Sequence, residues 1–162
     1  MIIMGVDPGL ATIGYGIIES GRKNKMIDFG VISTPPKISL PIRLKQIFCD
    51  IGLLIKKYDP DAIAVEELFF NTNVTTAIAV AQARGAIMVA ASNHTDKIYE
   101  YTPLQIKQAI VGYGRAEKIQ IQKMVQTLLS LEKIPKPDDA ADALAVALCH
   151  ANTKNLSELF RV

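Results

Sequence analysis

Acidic residues stand at three points where apolar segments of this chain begin or end. Asp7 follows MIIMGV, Glu66 and Glu67 follow AIAV, and PDDAAD comes directly before the apolar run ALAVAL. An unpaired carboxylate beside a hydrophobic core is costly to desolvate, so acids at all three points suggest a positive ligand among them. Oxygen ligands without Cys or His pairs favour Mg²⁺ or Mn²⁺ over zinc. The pattern therefore predicts a metal-dependent phosphoryl-transfer site.

The first two clusters contain one acid with a simpler explanation and one that is ambiguous. Glu67 is predicted to be solvated, because strand alternation turns it away from Glu66. Asp7, seen alone before Pro8–Gly9, also fits an ordinary turn residue. Only the combination of three clusters favours a functional interpretation of Asp7.

The third cluster leaves a choice between two acid pairs. Asp139 and Asp142 are three residues apart on a predicted helix and share one face. Asp138 and Asp142 are four apart and would share a face nearly as well. Asp138 follows Pro137, where its simplest role is that of a helix N-cap.

Hydrolysis of a phosphodiester explains why such acids would be gathered. Two divalent ions about 3.5–4 Å apart stabilise both the attacking and the leaving oxygen of an in-line displacement. One carboxylate must bridge the ions and others must flank them. We expect Asp7 to bridge, Glu66 to hold one ion, and Asp139 and Asp142 to hold the other.

A second class of phosphoryl-transfer protein shares part of this pattern. GVDPGLATIGYGII (5–18) also resembles the first phosphate loop of actin-like ATPases and sugar kinases. Those proteins are usually far longer and contain two such domains. A chain of 162 residues without a second copy or a GxxxxGK[ST] motif argues against a kinase.

The elements that must position the acids follow from hydrophobic periodicity. Three short strands with tight turns predict an antiparallel meander, and later strands alternate with helices. Strands are predicted at 1–6, 12–19, 25–33, 62–66 and 98–102, and helices at 42–58, 74–93, 103–111, 117–130 and 139–152. If the first and fourth strands are neighbours, Asp7 and Glu66 come within reach of one metal. We expect one domain, 1–152, and a short frayed tail, 153–162.

Bulk properties are compatible with a polyanionic ligand. The formal net charge is +2, but neutralising the four candidate acids leaves 18 basic against 12 acidic residues. The mean hydropathy of +0.22 is that of a well-packed globule, and no segment approaches the roughly 20 apolar residues of a membrane span. Cys49 and Cys149 fall in apolar helical surroundings and are predicted to be reduced core residues, which favours a cytoplasmic location.

Several long segments together resemble one family. The sequence is similar to the RuvC family of bacterial Holliday junction resolvases, within the ribonuclease H-like and retroviral-integrase superfamily. The resemblance runs from the first strand to about residue 150. It rests on GVDPGLATIGYGII (5–18), VEELFF (65–70), AQARGAIMVAA (81–91), QIKQAIVGYGRAEKIQI (105–121), MVQTLLSL (124–131) and DAADALAVAL (139–148). It implies an α/β fold: a five-stranded mixed sheet, antiparallel and then parallel, with helices on both faces.

The same resemblance assigns site residues. It implies that the catalytic, metal-binding acids are Asp7, Glu66, Asp139 and Asp142, which selects Asp139 over Asp138. It further implies two Mg²⁺ ions per site, with Mn²⁺ as a substitute. The resemblance also matches basic and aromatic positions. Without it, the lysines would be interpreted as ordinary surface residues and the aromatic residue as part of the core. The residues matched to DNA contacts are Phe69, Lys107 and Lys118, the two lysines also being catalytic, and Arg115 is predicted to bind DNA.

The implied function is symmetric, metal-dependent nicking of two opposed strands of a Holliday junction in recombination and DNA repair. Paired cuts suit a two-fold homodimer, and the Ala-rich helix 74–93 is apolar around most of its circumference, which favours a dimer face. A helix buried within a monomer is the alternative. The resemblance also implies cooperation with the RuvA–RuvB branch-migration complex. The rival functions are a nuclease for RNA or another branched substrate, and a non-catalytic junction-binding module.

Overall fold

The computed structural model describes residues 1–68, 74–153 and 159–162. Five strands and five helices follow one another in the predicted order, βββαβαβααα, and most bounds agree with the prediction within two residues. The strands are β1 (Ile2–Asp7), β2 (Thr12–Glu19), β3 (Lys25–Ser33), β4 (Ala62–Glu66) and β5 (Ile98–Tyr101). The helices are α1 (Leu40–Tyr58), α2 (Val74–Ser92), α3 (Pro103–Val111), α4 (Lys118–Leu128) and α5 (Asp138–Thr153).

The strands form one mixed sheet with the order β3-β2-β1-β4-β5. The first three strands pair antiparallel, and β1 pairs parallel with β4, which pairs parallel with β5. The mixed α/β fold expected from the sequence is therefore confirmed. The order also places β1 and β4, the two strands that end in acids, side by side at the centre of the sheet.

Strand alternation divides the helices between the two faces of the sheet. Ile3, Ala62 and Ala64 face α3, α4 and α5 in one hydrophobic cluster. Met4 and Val6 face α1 and α2 in the other cluster. Because Asp7 and Glu66 continue the first alternation, both point toward the α5 face.

Glycines in β1 and β2 allow α5 to lie directly on the sheet. A Cβ added at Gly14 would overlap the carbonyl of Asp139, and one at Gly5 would overlap the carbonyl of Ala143. Gly5 pairs with Gly16 across the two strands, so the surface beneath the helix has no side chains over this stretch. The Ala-rich sequence of α5 completes this close contact.

Three sequence expectations are corrected by the structure. The Pro137 carbonyl accepts the amides of Ala140 and Ala141, so Asp138 is the first helical residue and not the N-cap. Cys149 is buried as expected, but Cys49 is exposed on α1. These two corrections concern helix positions that the local sequence does not distinguish.

The third correction concerns the end of the chain. Within the described tail, Arg161 pairs with Tyr99 in a β-bridge and the Val162 amide donates to the Ile98 carbonyl at 3.0 Å. The Phe160 ring lies 5.0 Å from that of Tyr101. Residues 159–162 are therefore attached to β5 and not frayed.

No helix in the described ranges has the length and apolar character needed to cross a membrane.

Candidate active site

The ends of β1 and β4 bring two carboxylates together. Val6 pairs with Val65 in the parallel register, so Asp7 and Glu66 are the next residues along neighbouring strands. Both point to the α5 face and both are partly buried. Asp7 is the last residue of β1, which makes it a strand residue and not the turn residue that the isolated sequence allowed.

Helix α5 supplies a third carboxylate from above the sheet. The close packing on Gly14 and Gly5 holds the first turns of α5 against the ends of β1 and β2. Asp142 thereby enters a cleft that Asp7 and Glu66 also line. The acids of all three sequence clusters meet at this edge of the sheet.

Helices α3 and α4 close the other side of this cleft with two lysines. Lys107 lies in α3, and Lys118 is the first residue of α4. The cleft has a volume of about 350 Å³. It is lined by Asp7, Glu66, Pro103, Ile106, Lys107, Lys118, Ile121, Asp142 and Ala145.

Burial and neighbouring negative charge perturb the Asp7 carboxyl strongly. Burial is the larger cause, and together with the carboxylates of Glu66, Asp142 and Asp139 it raises the pKa of Asp7 to about 8. The positive charge of Lys118 acts in the opposite direction but is weaker. Without a cation, Asp7 therefore retains its proton at neutral pH.

Glu66 and Asp142 are perturbed for the same reasons. Burial, followed by the charge of Asp142, raises the pKa of Glu66 to about 7, although Lys118 and a hydrogen bond with Asp7 oppose the rise. Burial also raises the pKa of Asp142, against a hydrogen bond from Lys118. Three acids that each resist ionisation form an environment that a cation would stabilise.

Lys118 is the cation that contacts this group. Its Nζ lies 2.8 Å from Asp142 Oδ2 and 3.7 Å from Asp138 Oδ2. Burial alone would lower the pKa of Lys118, but the hydrogen bond and charge of Asp142 outweigh that effect and raise it. Asp138 is also paired with Lys136 at 2.6 Å, on the exposed side of the helix start.

Asp139 lies beside the three acids but lines a second cleft. Its negative charge raises the pKa of both Asp7 and Asp142. The second cleft, of about 640 Å³, is bounded by the β1–β2 turn, α1 and α2. Its lining residues are Gly9, Leu10, Ala11, Thr12, Pro36, Arg43, Ala79, Val80 and Asp139.

The donor set fits a hard divalent cation. The converging ligands are carboxylate oxygens, and the side-chain nitrogens that the described residues contribute to the first cleft belong to lysines, whose positive charge repels metal ions. Among the described residues, no three Asp, Glu, His or Cys side chains already have the spacing of a closed metal cage. Mg²⁺ rarely needs one, because it commonly retains waters and binds substrate phosphates alongside one or two carboxylates.

The remaining predicted residues lie apart from the first cleft or outside the described residues. Arg115 is exposed in the loop between α3 and α4 and does not line the cleft. Phe69 falls outside the described residues. Glu67 is exposed, as predicted, and donates its amide to the Tyr101 carbonyl. Arg43 was not singled out by the sequence, since nothing local distinguishes it from the other cations of α1.

Fold and site together define a nuclease of the ribonuclease H-like class, with its acids at the carboxyl ends of the two central strands and on the helix above them. Comparison with known proteins narrows this class to one family.

The family model for crossover junction endodeoxyribonuclease RuvC matches residues 3–150. A relative from Alkaliphilus oremlandii, named crossover junction endodeoxyribonuclease RuvC, is 58% identical, over 100% of this chain and 99% of its own length. The Thermus thermophilus RuvC structure superimposes with a TM-score of 0.89 at 35% identity, covering 96% of each chain. T. thermophilus RuvC in complex with Holliday junction substrate gives a TM-score of 0.88 at 33% identity, again over 96% of each chain. The chain belongs to the RuvC family.

Proposed function

We propose that this chain cuts Holliday junctions at the cleft where Asp7, Glu66 and Asp142 meet Lys107 and Lys118. As a RuvC-family member the protein is a Holliday junction-resolving endodeoxyribonuclease, and the finer assignments below are ours. The observation that carries them is the convergence of three partly buried, mutually repelling carboxylates with two lysines in one cleft. A site of this kind suits a phosphodiester, which carries negative charge and needs a cation to approach such acids.

The acids are proposed to hold two Mg²⁺ ions, with Mn²⁺ as a substitute. Asp7 and Glu66 lie on adjacent strands and Asp142 reaches them from α5, while Asp139 approaches from the neighbouring cleft. Bound metal supplies water activation and stabilisation of the departing 3′ oxygen. The carboxylates lie on two strands and on a helix packed against glycine, so their positions need to change little when substrate binds.

The lysines are proposed to act on the phosphate. Lys107 and Lys118 face the acids across the cleft, so a phosphate bound at the acids would lie between opposite charges. One lysine would stabilise charge developing on the scissile phosphate, and the other would hold a neighbouring phosphate. Lys118 must then exchange its contact with Asp142 for one with DNA.

A homodimer is proposed because paired cuts require two sites related by two-fold symmetry. One side of α2, with Ala83, Ile87 and Ala90, is buried against the sheet. The opposite side leaves Ile78 57% and Val89 54% exposed, so the alternative of a helix buried all round does not describe α2. A second copy covering this stripe would remove apolar side chains from water.

Arg115 and Phe69 are proposed to contact DNA, the first from the exposed α3–α4 loop and the second by stacking on an unpaired base. We further propose a cytoplasmic location and cooperation with the RuvA–RuvB branch-migration complex in recombination and repair. These assignments rest on the family resemblance.

Cleavage of a synthetic four-way junction tests the proposal. With Mg²⁺, wild-type protein should give symmetric nicks with 5′-phosphate and 3′-hydroxyl ends, while duplex, flap and RNA–DNA hybrid substrates should remain intact. Preferred cleavage of a hybrid or flap would instead support the rival nuclease.

The variant Asp7→Asn should retain junction binding while losing cleavage by at least about 10³-fold, because one member of the carboxylate group is removed. Glu66→Gln and Glu67→Gln form a matched pair: the first should abolish cleavage, and the second, at an exposed carboxylate, should not. Normal cleavage by Asp7→Asn would contradict the metal-site assignment.

A further inference from the structure

The second cleft contains a cation that the proposed catalytic mechanism does not use. Arg43, from the first turns of α1, lines this cleft together with Asp139 and the β1–β2 turn. The volume of about 640 Å³ lies within the range of about 300–1,000 Å³ typical of ligand sites. The cleft is therefore large enough to receive part of a nucleic-acid strand.

Thr34 holds the guanidinium of Arg43 in position. Its Nε donates to Thr34 Oγ1 at 2.8 Å and its Nη2 to the Thr34 carbonyl at 3.5 Å. Thr34 is itself buried and donates its hydroxyl to the Leu10 carbonyl at 2.5 Å. This chain of hydrogen bonds joins α1 to the turn that follows Asp7, so the guanidinium is fixed relative to the acids.

The guanidinium has donors left for a ligand. Among the described residues no carboxylate forms an ion pair with Arg43, although Asp139 lines the same cleft. Two of the five N–H donors are used by Thr34, which leaves Nη donors for an anion. A half-buried arginine with that arrangement suits a phosphate, which accepts two parallel hydrogen bonds from a guanidinium.

The two clefts are lined by neighbouring residues at the acids. Asp139 lines the second cleft and Asp142 lines the first, one turn apart on α5. Asp7 and Gly9, two residues apart, likewise line the first and second clefts. A DNA strand with a phosphate at the acids would therefore have the second cleft within reach of a neighbouring phosphate.

We propose that Arg43, oriented by Thr34, is a positioning residue that binds a non-scissile phosphate of the cleaved strand in the cleft beside Asp139. This inference rests on the proposed function, since it needs a strand at the acids. The lysine that holds a neighbouring phosphate and Arg43 then bind the strand on both sides of the scissile phosphate, which fixes its alignment for in-line attack.

Neutral phosphate analogues test the contact directly. A series of four-way junctions would carry one methylphosphonate at each of the three phosphates on either side of the cut. Wild-type single-turnover cleavage should slow roughly 10-fold or more at the position that Arg43 contacts, as expected for a lost charge-assisted hydrogen bond. Arg43→Gln should slow cleavage of the unmodified junction to a similar degree, yet show no further loss at that one position.

Three further variants separate positioning from structure. Lys45→Gln removes an exposed charge from the same helix and should leave the position dependence of wild type unchanged. Arg43→Lys should cleave faster than Arg43→Gln but slower than wild type, since lysine restores the positive charge without the paired N–H donors of the guanidinium. Thr34→Val should slow cleavage while leaving the salt dependence of junction binding near wild type, whereas Arg43→Gln should reduce the slope of log K against log salt by about 1.

The result that overturns the inference is an equal methylphosphonate profile in wild type and Arg43→Gln. If Arg43→Gln lost activity only because part of it unfolds, the molecules that remain folded would still show the wild-type methylphosphonate profile. That result would therefore also count against the phosphate contact. Failure of the proposed function gives a different result: wild type would then leave the unmodified junction uncut.

Discussion

At the scale of single residues, the surroundings of the partly buried acids in the first cleft oppose ionisation of their carboxyl groups. Burial raises the pKa of Asp7 to about 8 and of Glu66 to about 7, with neighbouring carboxylates adding to both. Such residues lower the stability of the metal-free fold, and they contribute to function only when a cation is bound. Stability and activity should therefore respond oppositely to their removal.

The pH dependence of stability follows from the direction of the Asp7 shift. The folded pKa, about 8, lies above the unfolded value of 3.8, so the stability that protonated Asp7 contributes is complete below pH 3.8 and is lost as pH rises to 8. In EDTA, Asp7→Asn should thus be more stable than wild type at pH 8, by about 1 kcal/mol or more, with the difference vanishing near pH 4. Urea unfolding across this range measures it.

Glu67→Gln, at the exposed neighbouring carboxylate, is the control and should follow wild type. Added Mg²⁺ should stabilise wild type more than Asp7→Asn, because a ligand stabilises only the state that binds it. If the free energy of unfolding depended on pH identically in wild type and Asp7→Asn, this would contradict the raised pKa of Asp7.

Lys118 offers a second prediction at this scale. Lys118→Gln removes a positive charge from the cleft and should slow single-turnover junction cleavage by about 10²–10³-fold, with weaker effects on binding. Lys123→Gln, at an exposed position of the same helix, is the matched control. Equal cleavage rates for Lys118→Gln and Lys123→Gln would show that Lys118 is an ordinary surface lysine, as its position in the sequence also allows.

At the scale of elements, the contact between α5 and the β1–β2 hairpin determines where the acids lie. The helix rests on a surface without side chains, and the backbone of Asp139 touches Gly14. The same contact holds the helix turn that carries Asp142, which lines the cleft with Asp7. Small changes in this packing should therefore reach the chemistry even though no ligand atom is altered.

Two glycine substitutions separate this packing effect from ordinary backbone effects. Gly14→Ala should destabilise the fold by about 1–3 kcal/mol and reduce cleavage, because the added methyl overlaps the Asp139 carbonyl and α5 must shift. Gly52→Ala, in α1, meets no atom within 4 Å and should instead stabilise by about 0.5–1 kcal/mol with unchanged cleavage. Thermal unfolding and junction cleavage measure both, and a neutral Gly14→Ala would show that α5 does not depend on this contact.

At the scale of the whole molecule, the sheet separates two tasks. Its α5 face carries the acids and lysines, while α1 and α2 cover the other face and leave an apolar stripe of α2 outward. In the proposed dimer this stripe joins two copies, so that each presents one catalytic cleft to the junction. Symmetric cutting then becomes a property of the assembly and not of either subunit.

Charges on the α2 stripe should dissociate that assembly. The double variant Ile78→Glu and Val89→Glu should sediment as a monomer at micromolar concentration and produce uncoupled single nicks, since burying unpaired carboxylates at an interface is costly. Leu53→Glu, which replaces a side chain 65% exposed on α1, should remain dimeric. A monomeric wild-type protein in the same measurement would refute the proposed interface.

The sequence by itself determined the elements and the candidate acids. Alternation and helical periodicity are local properties of the chain, so β2, β3, β4 and α3 have their predicted bounds, and Asp7 and Glu66 could be placed at strand ends. Local sequence could not decide between Asp138 and Asp139, and the resemblance made that choice. The local sequence also did not predict that residues 159–162 attach to β5, because that attachment depends on a contact between Phe160 and Tyr101, which are far apart in the sequence.

Tertiary structure decided which of these residues meet. The adjacency of β1 and β4, and the seating of α5 on glycine, depend on packing between segments more than 50 residues apart, which no local pattern encodes. That packing placed Lys107 and Lys118 opposite the acids and assigned Asp139 to a neighbouring cleft. It also revealed Arg43, whose guanidinium is oriented by Thr34 and forms no ion pair with any carboxylate in the described part of the chain.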